Sequence, residues 1–475
     1  MAELQFEQRM SDSDALMWSI EKDPMLRSTI TAVFLLDRAP DRARLRHLME
    51  RGTRLVPRMR QRVRGNMFSL APPRWEVDPN FDLDFHLRWV RAGGDRSMRS
   101  VLDMAQPLAM QGFDRARPLW EMTVVEDLVD GQAAVVMKVH HAITDGVGAV
   151  KIALVMFEME RDAAEAEMPE PPPVHVLNPL ERLVDAVDHV RRRNLGIALR
   201  SAATVTGAVG GLVTDPAGAA HRAADVTSSV GRMLAPATSP LSPLMTGRSL
   251  SVHFDTVTVG LADAKAAAHA AGGTLNDAFV AATCAGFRRY HRAMGTPADA
   301  LRMSMPINVR DEAHADTTGN QFAPARFPIP LTIEDPRDCM GALHELVAGQ
   351  RAEPALALVE PMAGLLNRLP TTLSTSFFGS MLKGIDLVTS NVPGAPFPMY
   401  TAGARIEALF PFGPMAGAAA NLTLLSYLDD LLIGVNVDPA AVTSRTSSSS
   451  PTAMAGTRSS KLPTEPLAYA QLVSR

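Results

Sequence analysis

The chain has 475 residues, 46% hydrophobic and 21% charged, a balance that fits two globular cores and excludes a disordered chain. Its net charge of −4 leaves no cationic surplus for nucleic acid, though it still permits a local basic patch for a phosphate-bearing substrate. Two cysteines, Cys284 and Cys339, make neither a disulfide framework nor a metal-ligand pattern, so a reducing cytoplasm is the expected location.

The N-terminus has no basic segment followed by an apolar run, so no signal peptide is read. Residues 29–36 (TITAVFLL) are β-branched and apolar and predict a buried strand. Residues 41–54 place Leu45, Leu48 and Met49 on one helical face. Two strands follow in PLWEMTVVEDL and QAAVVMKVHH, separated by the turn-like VDGQ, and residues 146–165 read as a helix. At Met168 the composition changes to a proline-rich connector that neither continues a helix nor enters a sheet. From there to about Pro243 the chain reads as helical but weakly amphipathic. Its most lipid-like stretch, 202–213, is short of the roughly 20 residues needed to span a bilayer.

Regular patterning resumes with a strand over 250–261 and a helix over 273–291, with Asn276 or Asp277 as its cap. A strand follows at 302–310, and four late segments, DLVTSNVPG, ARIEALFPFGP, ANLTLLSYLDD and LLIGVNVD, alternate as strands. The expected organisation is an α/β half over 1–167, a partly helical linker over 168–249, a second α/β half over 250–442 and a tail over 443–475. The tail is low in apolar periodicity and reads as disordered.

The segment HHAITDG, residues 140–146, lies where strand period gives way to helix period. Strand parity puts His141 on the apolar face with Val135, Met137 and Val139, and His140 on the other with Val136 and Lys138. Gly146 permits a sharp turn, and Asp145 falls near a helix N-terminus, where a carboxylate is favoured. A neutral imidazole ending an apolar strand suits a general base for a hydroxyl proton. Adjacent histidines without a third ligand do not make a metal site, so no metal is expected.

In its ordered motifs the sequence resembles the CoA-dependent acyltransferase superfamily, which carries HHxxxDG. The finer resemblance is to the bacterial wax ester synthase/diacylglycerol acyltransferases. It rests on SDSDALMW, the Pro118-Leu119-Trp120 triplet, Asn276-Asp277, MPINVR, SNVPG and GARIEALFPFGP, and spans roughly residues 10 to 440. It implies two chloramphenicol-acetyltransferase-like domains with the active site in a tunnel between them. It also implies transfer of a long acyl chain from fatty acyl-CoA, a donor substrate rather than a resident cofactor, to diacylglycerol.

Residue by residue, the resemblance makes His141 the base, with His140, Asp145 and Gly146 structural around it and Arg310 the partner of Asp145 across the halves. Asn276 is expected to meet the oxyanion or position the acceptor, and Trp120 to pack near the tunnel. Asp277, Asn391, Gly394 and Asn421 are expected to shape the substrate site. Peripheral contact with a membrane or lipid droplet is a further implication. The chain departs from the family pattern after Val442. Three alternatives stay open: wax ester formation from long-chain alcohols, a condensation-type domain using carrier-bound thioesters, and a non-catalytic lipid-binding relative.

Overall fold

A computed structural model describes residues 7–65, 71–143, 152, 156–194, 216–234, 237, 239–308 and 322–443. The β-branched run predicted as a strand forms β1, Thr29–Leu36. It lies between helix α1 (Asp12–Ile20) and helix α2 (Arg42–Leu55). Ser11 caps α1 by accepting from the Asp14 N–H, and Asp41 caps α2 by accepting from the Arg44 N–H. Strands β2 (Gln61–Arg64) and β3 (Arg74–Val77) form a separate ribbon. The first half is completed by α3 (Leu83–His86), β4 (Leu87–Arg91), α4 (Met98–Met110), β5 (Trp120–Glu126) and β6 (Ala133–His140).

Of the helix expected over 146–165, residues 146–151 and 153–155 fall outside the described residues. Beyond Met156 the chain is not helical. Glu158 exchanges backbone hydrogen bonds with Tyr400, and its carboxylate meets Arg44 at 2.7 Å and accepts from the Ala402 N–H at 3.1 Å. These long-range partners end the helix where local periodicity alone would have continued it.

In the connecting region residues 179–194 are helical, and α5 spans Pro216–Leu234. The second half runs β7 (His253–Gly260), α6 (Leu261–Ala270), α7 (Leu275–Ala293), β8 (Ala300–Asn308), β9 (Phe322–Pro330) and α8 (Pro336–Arg351). It continues through α9 (Val359–Leu366), α10 (Thr371–Leu382), β10 (Leu387–Val392), β11 (Tyr400–Thr401), β12 (Ala404–Phe412), β13 (Ala420–Tyr427) and β14 (Asp430–Val437).

The architecture is mixed α/β with two six-stranded sheets. One has the order β11-β12-β1-β6-β5-β4, the other β7-β14-β13-β10-β8-β9. The late strands β11 and β12 therefore belong to the first sheet, where β12 pairs antiparallel with β1 from Thr31↔Phe412 to Leu36↔Ile406. On its way there β12 crosses the second sheet at backbone contact. A Cβ on Gly434 of β14 would lie 1.8 Å from the Pro411 carbonyl oxygen, and one on Gly413 would lie 2.6 Å from Asn421 Nδ2. The Tyr427 hydroxyl donates to the Ile406 carbonyl and accepts from the Met399 N–H, both at 3.0 Å, and Phe254 stacks on Phe412 at 4.1 Å. The hydrophobic core of the first half accordingly contains Phe254, Leu425, Tyr427 and Leu432 from the second.

Gly434→Ala should force β14 away from Pro411. The clash is with backbone, so the cost is about 3 kcal/mol or more. Thermal unfolding checks this: a Tm lowered by several degrees is expected, and an unchanged Tm contradicts the close crossing.

Candidate active site

The end of β6 separates the two histidines as strand alternation requires. His140 turns to the closed side and is 1% exposed. Its Nδ1 accepts the Ala142 N–H at 3.0 Å, which leaves the proton on Nε2 to be donated to Glu21 at 2.9 Å. Glu21 also accepts the Ser28 N–H at 2.6 Å and lies 3.6 Å from the Arg115 guanidinium. Burial alone would raise the Glu21 carboxyl. The hydrogen bond from His140, the Ser28 N–H and the Arg115 charge outweigh it and hold the group below its ordinary value of 4.5. The His141 N–H donates to the Ser28 carbonyl at 2.8 Å, and a 3-10 turn follows over His141–Ile143. The turn is thus pinned to the residues preceding β1 from both of its first positions.

His141 points the other way, into a cavity of about 380 Å³ that it lines with Met137 and Val139 of the same strand face. Residues of both sheets and of α1 and α10 enclose this space. The lining is overwhelmingly apolar, with Met17, Met59, Met122 and Met156 among its walls. Its polar side chains are Ser28, His141, Ser304, Ser390, Asn421 and Thr423, and His141 is the one ionisable residue among the described lining. Asn421 lines this cavity and is buried. Its Nδ2 donates to the Pro414 carbonyl at 2.8 Å and its Oδ1 accepts from Thr423 Oγ1 at 2.9 Å, so it holds the Gly413–Pro414 wall where β12 crosses β13.

Trp120 is fully buried, donates Nε1–H to the Met59 carbonyl at 2.7 Å and stacks on His86 at 4.6 Å. It packs behind two cavity walls, Met59 directly and Met122 two residues along β5.

Other predicted residues stand elsewhere. Asn276 does not reach the cavity. It is on α7 with its Nδ2 4.0 Å from Met305 Sδ, and Met305 belongs to the core face of β8, opposite the cavity-lining Ser304 and Pro306. The α7 cap is Thr274, not Asn276 or Asp277. Asp277 closes a capping box with it and meets His344 at 2.9 Å, which accounts for its burial without substrate. Asn391 is exposed, because strand alternation gives the cavity Ser390 and Val392 instead. Gly394 is a packing position, where a Cβ would lie 1.8 Å from the Ser426 carbonyl oxygen. Asp145, Gly146 and Arg310 lie outside the described residues, as does the tail beyond Thr443.

Three contributors were missed. Ser390 could have been found by parity, since it is the polar residue on a face of β10 shared with Val388 and Val392, whereas Ser304 shares its face of β8 with Arg302 and carried no such signal. Glu21 carried no local signal: its partner His140 is 119 positions away.

With this geometry in place, the comparisons with known proteins become interpretable. Residues 10–279 match the family model of the wax ester synthase/diacylglycerol acyltransferase catalytic domain, and residues 318–446 match that of the WS/DGAT C-terminal domain. The chain belongs to this family. A Mycobacterium tuberculosis relative, named as a diacylglycerol O-acyltransferase, is 36% identical over 446 residues, covering 93% of this chain and 90% of the relative. A second from the same organism, similarly named, is 27% identical over 408 residues and covers 84% of each chain. Among solved structures, the wax ester synthase/diacylglycerol acyltransferase of Marinobacter aquaeolei VT8 superposes with a TM-score of 0.59 at 22% identity, over 92% of this chain and 94% of that one. The first condensation domain of the calcium-dependent antibiotic synthetase gives 0.58 at 15% identity, over 92% of each. At those identities the two structures speak to the fold alone, and they agree on its two-sheet plan.

The family match leaves Glu21 as an unpredicted brace behind His141. Glu21→Ala should lower kcat at least tenfold, whereas Glu21→Gln, which still accepts from His140, should retain most of it. Because the folded carboxyl titrates below 4.5, its stabilisation is complete above that pH and is lost as pH falls through the folded value. The wild type should therefore lose more Tm between pH 5 and pH 3 than Glu21→Gln. Parallel acid titrations of the two would contradict the brace.

Proposed function

We propose that this protein transfers a long-chain acyl group from fatty acyl-CoA to the free hydroxyl of diacylglycerol, forming triacylglycerol. The observation that carries the mechanism is that His141 is the one ionisable side chain among the described residues lining a large apolar cavity. Its imidazole takes the hydroxyl proton as the oxygen attacks the thioester carbonyl. The tetrahedral intermediate then expels CoA thiolate, and the imidazolium proton passes to the leaving sulfur. Donor and acceptor meet at one base, so no acyl-enzyme is needed. His140 and Glu21 fix the turn, and the Ser304 and Ser390 hydroxyls are the lining donors available to the developing oxyanion.

The names of the mycobacterial relatives favour diacylglycerol as acceptor. Among the described residues the lining carries no charged side chain that would select a glycerol backbone, which keeps long-chain alcohols, and hence wax esters, as the second acceptor class. No helix among the described residues is long and apolar enough to cross a membrane. Contact with a lipid surface fits the exposed Leu365, Leu369 and Leu373, which lie along α9 and α10 just before the cavity-lining Phe378 and Leu382.

Purified protein with labelled palmitoyl-CoA and either diolein or hexadecanol tests the reading. Triacylglycerol should be the main product, and His141→Ala should lower kcat by about 10²–10⁴-fold without loss of folding. Ester formation by His141→Ala at the wild-type rate would remove the imidazole from the mechanism.

A further inference from the structure

The cavity has two arms that meet at His141. One lies between α1, α10 and the second sheet, walled by Met17, Ile20, Phe378, Leu382 and Val388. The other runs inside the first half, along the cavity face of β1. That face begins at Ser28, whose carbonyl holds the His141 N–H, and continues through Ile30, Ala32 and Phe34. Its two neighbours in the sheet extend the same face, with Val139 and Met137 from β6 on one side and Gly413, Pro411 and Leu409 from β12 on the other, so this arm follows the strand direction along one sheet face.

This second arm has a floor. Phe34 pairs across to Val135 and Leu409, and the next rung on the same face, Leu36 with Ala133 and Ile406, is solid core with 0% exposure. The Phe34 ring packs on Phe157 with centroids 5.4 Å apart and planes at 56°. Phe34 is buried while Phe157 is half-buried, so the floor is about one aromatic layer thick before solvent. Beside it, Met156 is pressed against α2, where a Cβ on Gly52 would come within 3.0 Å of its Cγ, leaving that wall no room to retreat.

The length of the arm can be set against a chain. Six strand residues separate Ser28 from Phe34, about 20 Å at roughly 3.3 Å per residue. An extended alkyl chain of ~1.5 Å bonds advances about 1.25 Å per carbon, so about 16 carbons fill the arm from the base to the floor. Ala32, four residues from Ser28, stands near the tenth carbon on the same ~3.3 Å rise. Its small side chain keeps the arm open at that level.

We propose that this arm receives the acyl chain of the donor and that Phe34 and Phe157 set its upper length, with Ala32 as the residue that lets a long chain pass. The proposal rests on the acyltransferase reading above. A closed-ended apolar strip along β1, from Ile30 through Ala32 to Phe34, suits the donor, which brings one unbranched chain, better than diacylglycerol, which brings two.

The test uses full-length protein, diolein and saturated acyl-CoAs of 8 to 24 carbons, with kcat/KM measured for each. Wild type should fall off beyond about 16 to 18 carbons, on the ~3.3 Å rise used above. In Phe157→Ala, at a half-buried position, the ratio of C22 to C16 should rise at least tenfold. In Ala32→Phe the ratio of C16 to C10 should fall at least tenfold. A second series holds palmitoyl-CoA fixed and varies the length of an alcohol acceptor, where neither variant should shift the profile. Unchanged donor profiles in an active Phe157→Ala would overturn the ruler alone, as would a shift that follows acceptor length instead. Absence of ester from wild type with every donor would overturn the function, and the ruler with it.

Discussion

The crossing of β12 is the constraint on which the rest depends. A strand that follows β10 of the second sheet leaves it to pair with β1 of the first, and it can do so only because Gly434 lets backbone meet backbone while Gly413 leaves room for the Asn421 and Thr423 side chains. Any side chain at Gly434 would meet a carbonyl oxygen rather than a flexible group, so the sheets would have to part. Parting them would open the wall made by Leu409, Pro411 and Gly413, and with it the cavity between the halves. The same crossing gives the first core its residues from the second, among them Tyr427, whose hydroxyl ties β13 to β12. The two halves are thus interlocked rather than merely docked.

That enclosure determines what the site can do. A cavity whose described lining is apolar apart from six side chains strengthens each electrostatic interaction within it and disfavours water, which would otherwise compete with an alcohol for the acyl group. One neutral base suffices for such a transfer, and the structure invests its polar groups in holding that base. Glu21 and His140 hold the turn from the closed side and the Ser28 carbonyl holds it through the His141 N–H, while the His141 side chain faces the cavity. Burial of an acid and an imidazole is tolerated because each satisfies the other.

Much of this was legible in the sequence. β1 was readable from eight β-branched and apolar residues, and the choice of His141 over His140 followed from parity, which needs no tertiary knowledge. The resemblance singled out Asn421 and Trp120 without indicating the wall contacts that the fold gives them, to Pro414 and to Met59. The membership of β12 was not legible, because its alternation would suit either sheet and strand pairing is non-local. Asn276 shows a different failure. Proximity of a motif to the centre does not say which face of β8 the helix packs against, and that is set by Met303, Met305 and Ile307 joining the α7 core. Glu21 was hidden for the simplest reason: an acid at a helix end looks like any solvated carboxylate until the fold brings His140 to it.

The central claim is that lipid chain and base meet in the space closed by β12. The most direct measurement is a structure with a non-hydrolysable acyl-CoA thioether bound. The account predicts the sulfur beside His141 and the alkyl chain running past Ile30 and Ala32 toward Phe34. A chain lodged outside this cavity, or an imidazole turned away from the sulfur, would contradict it.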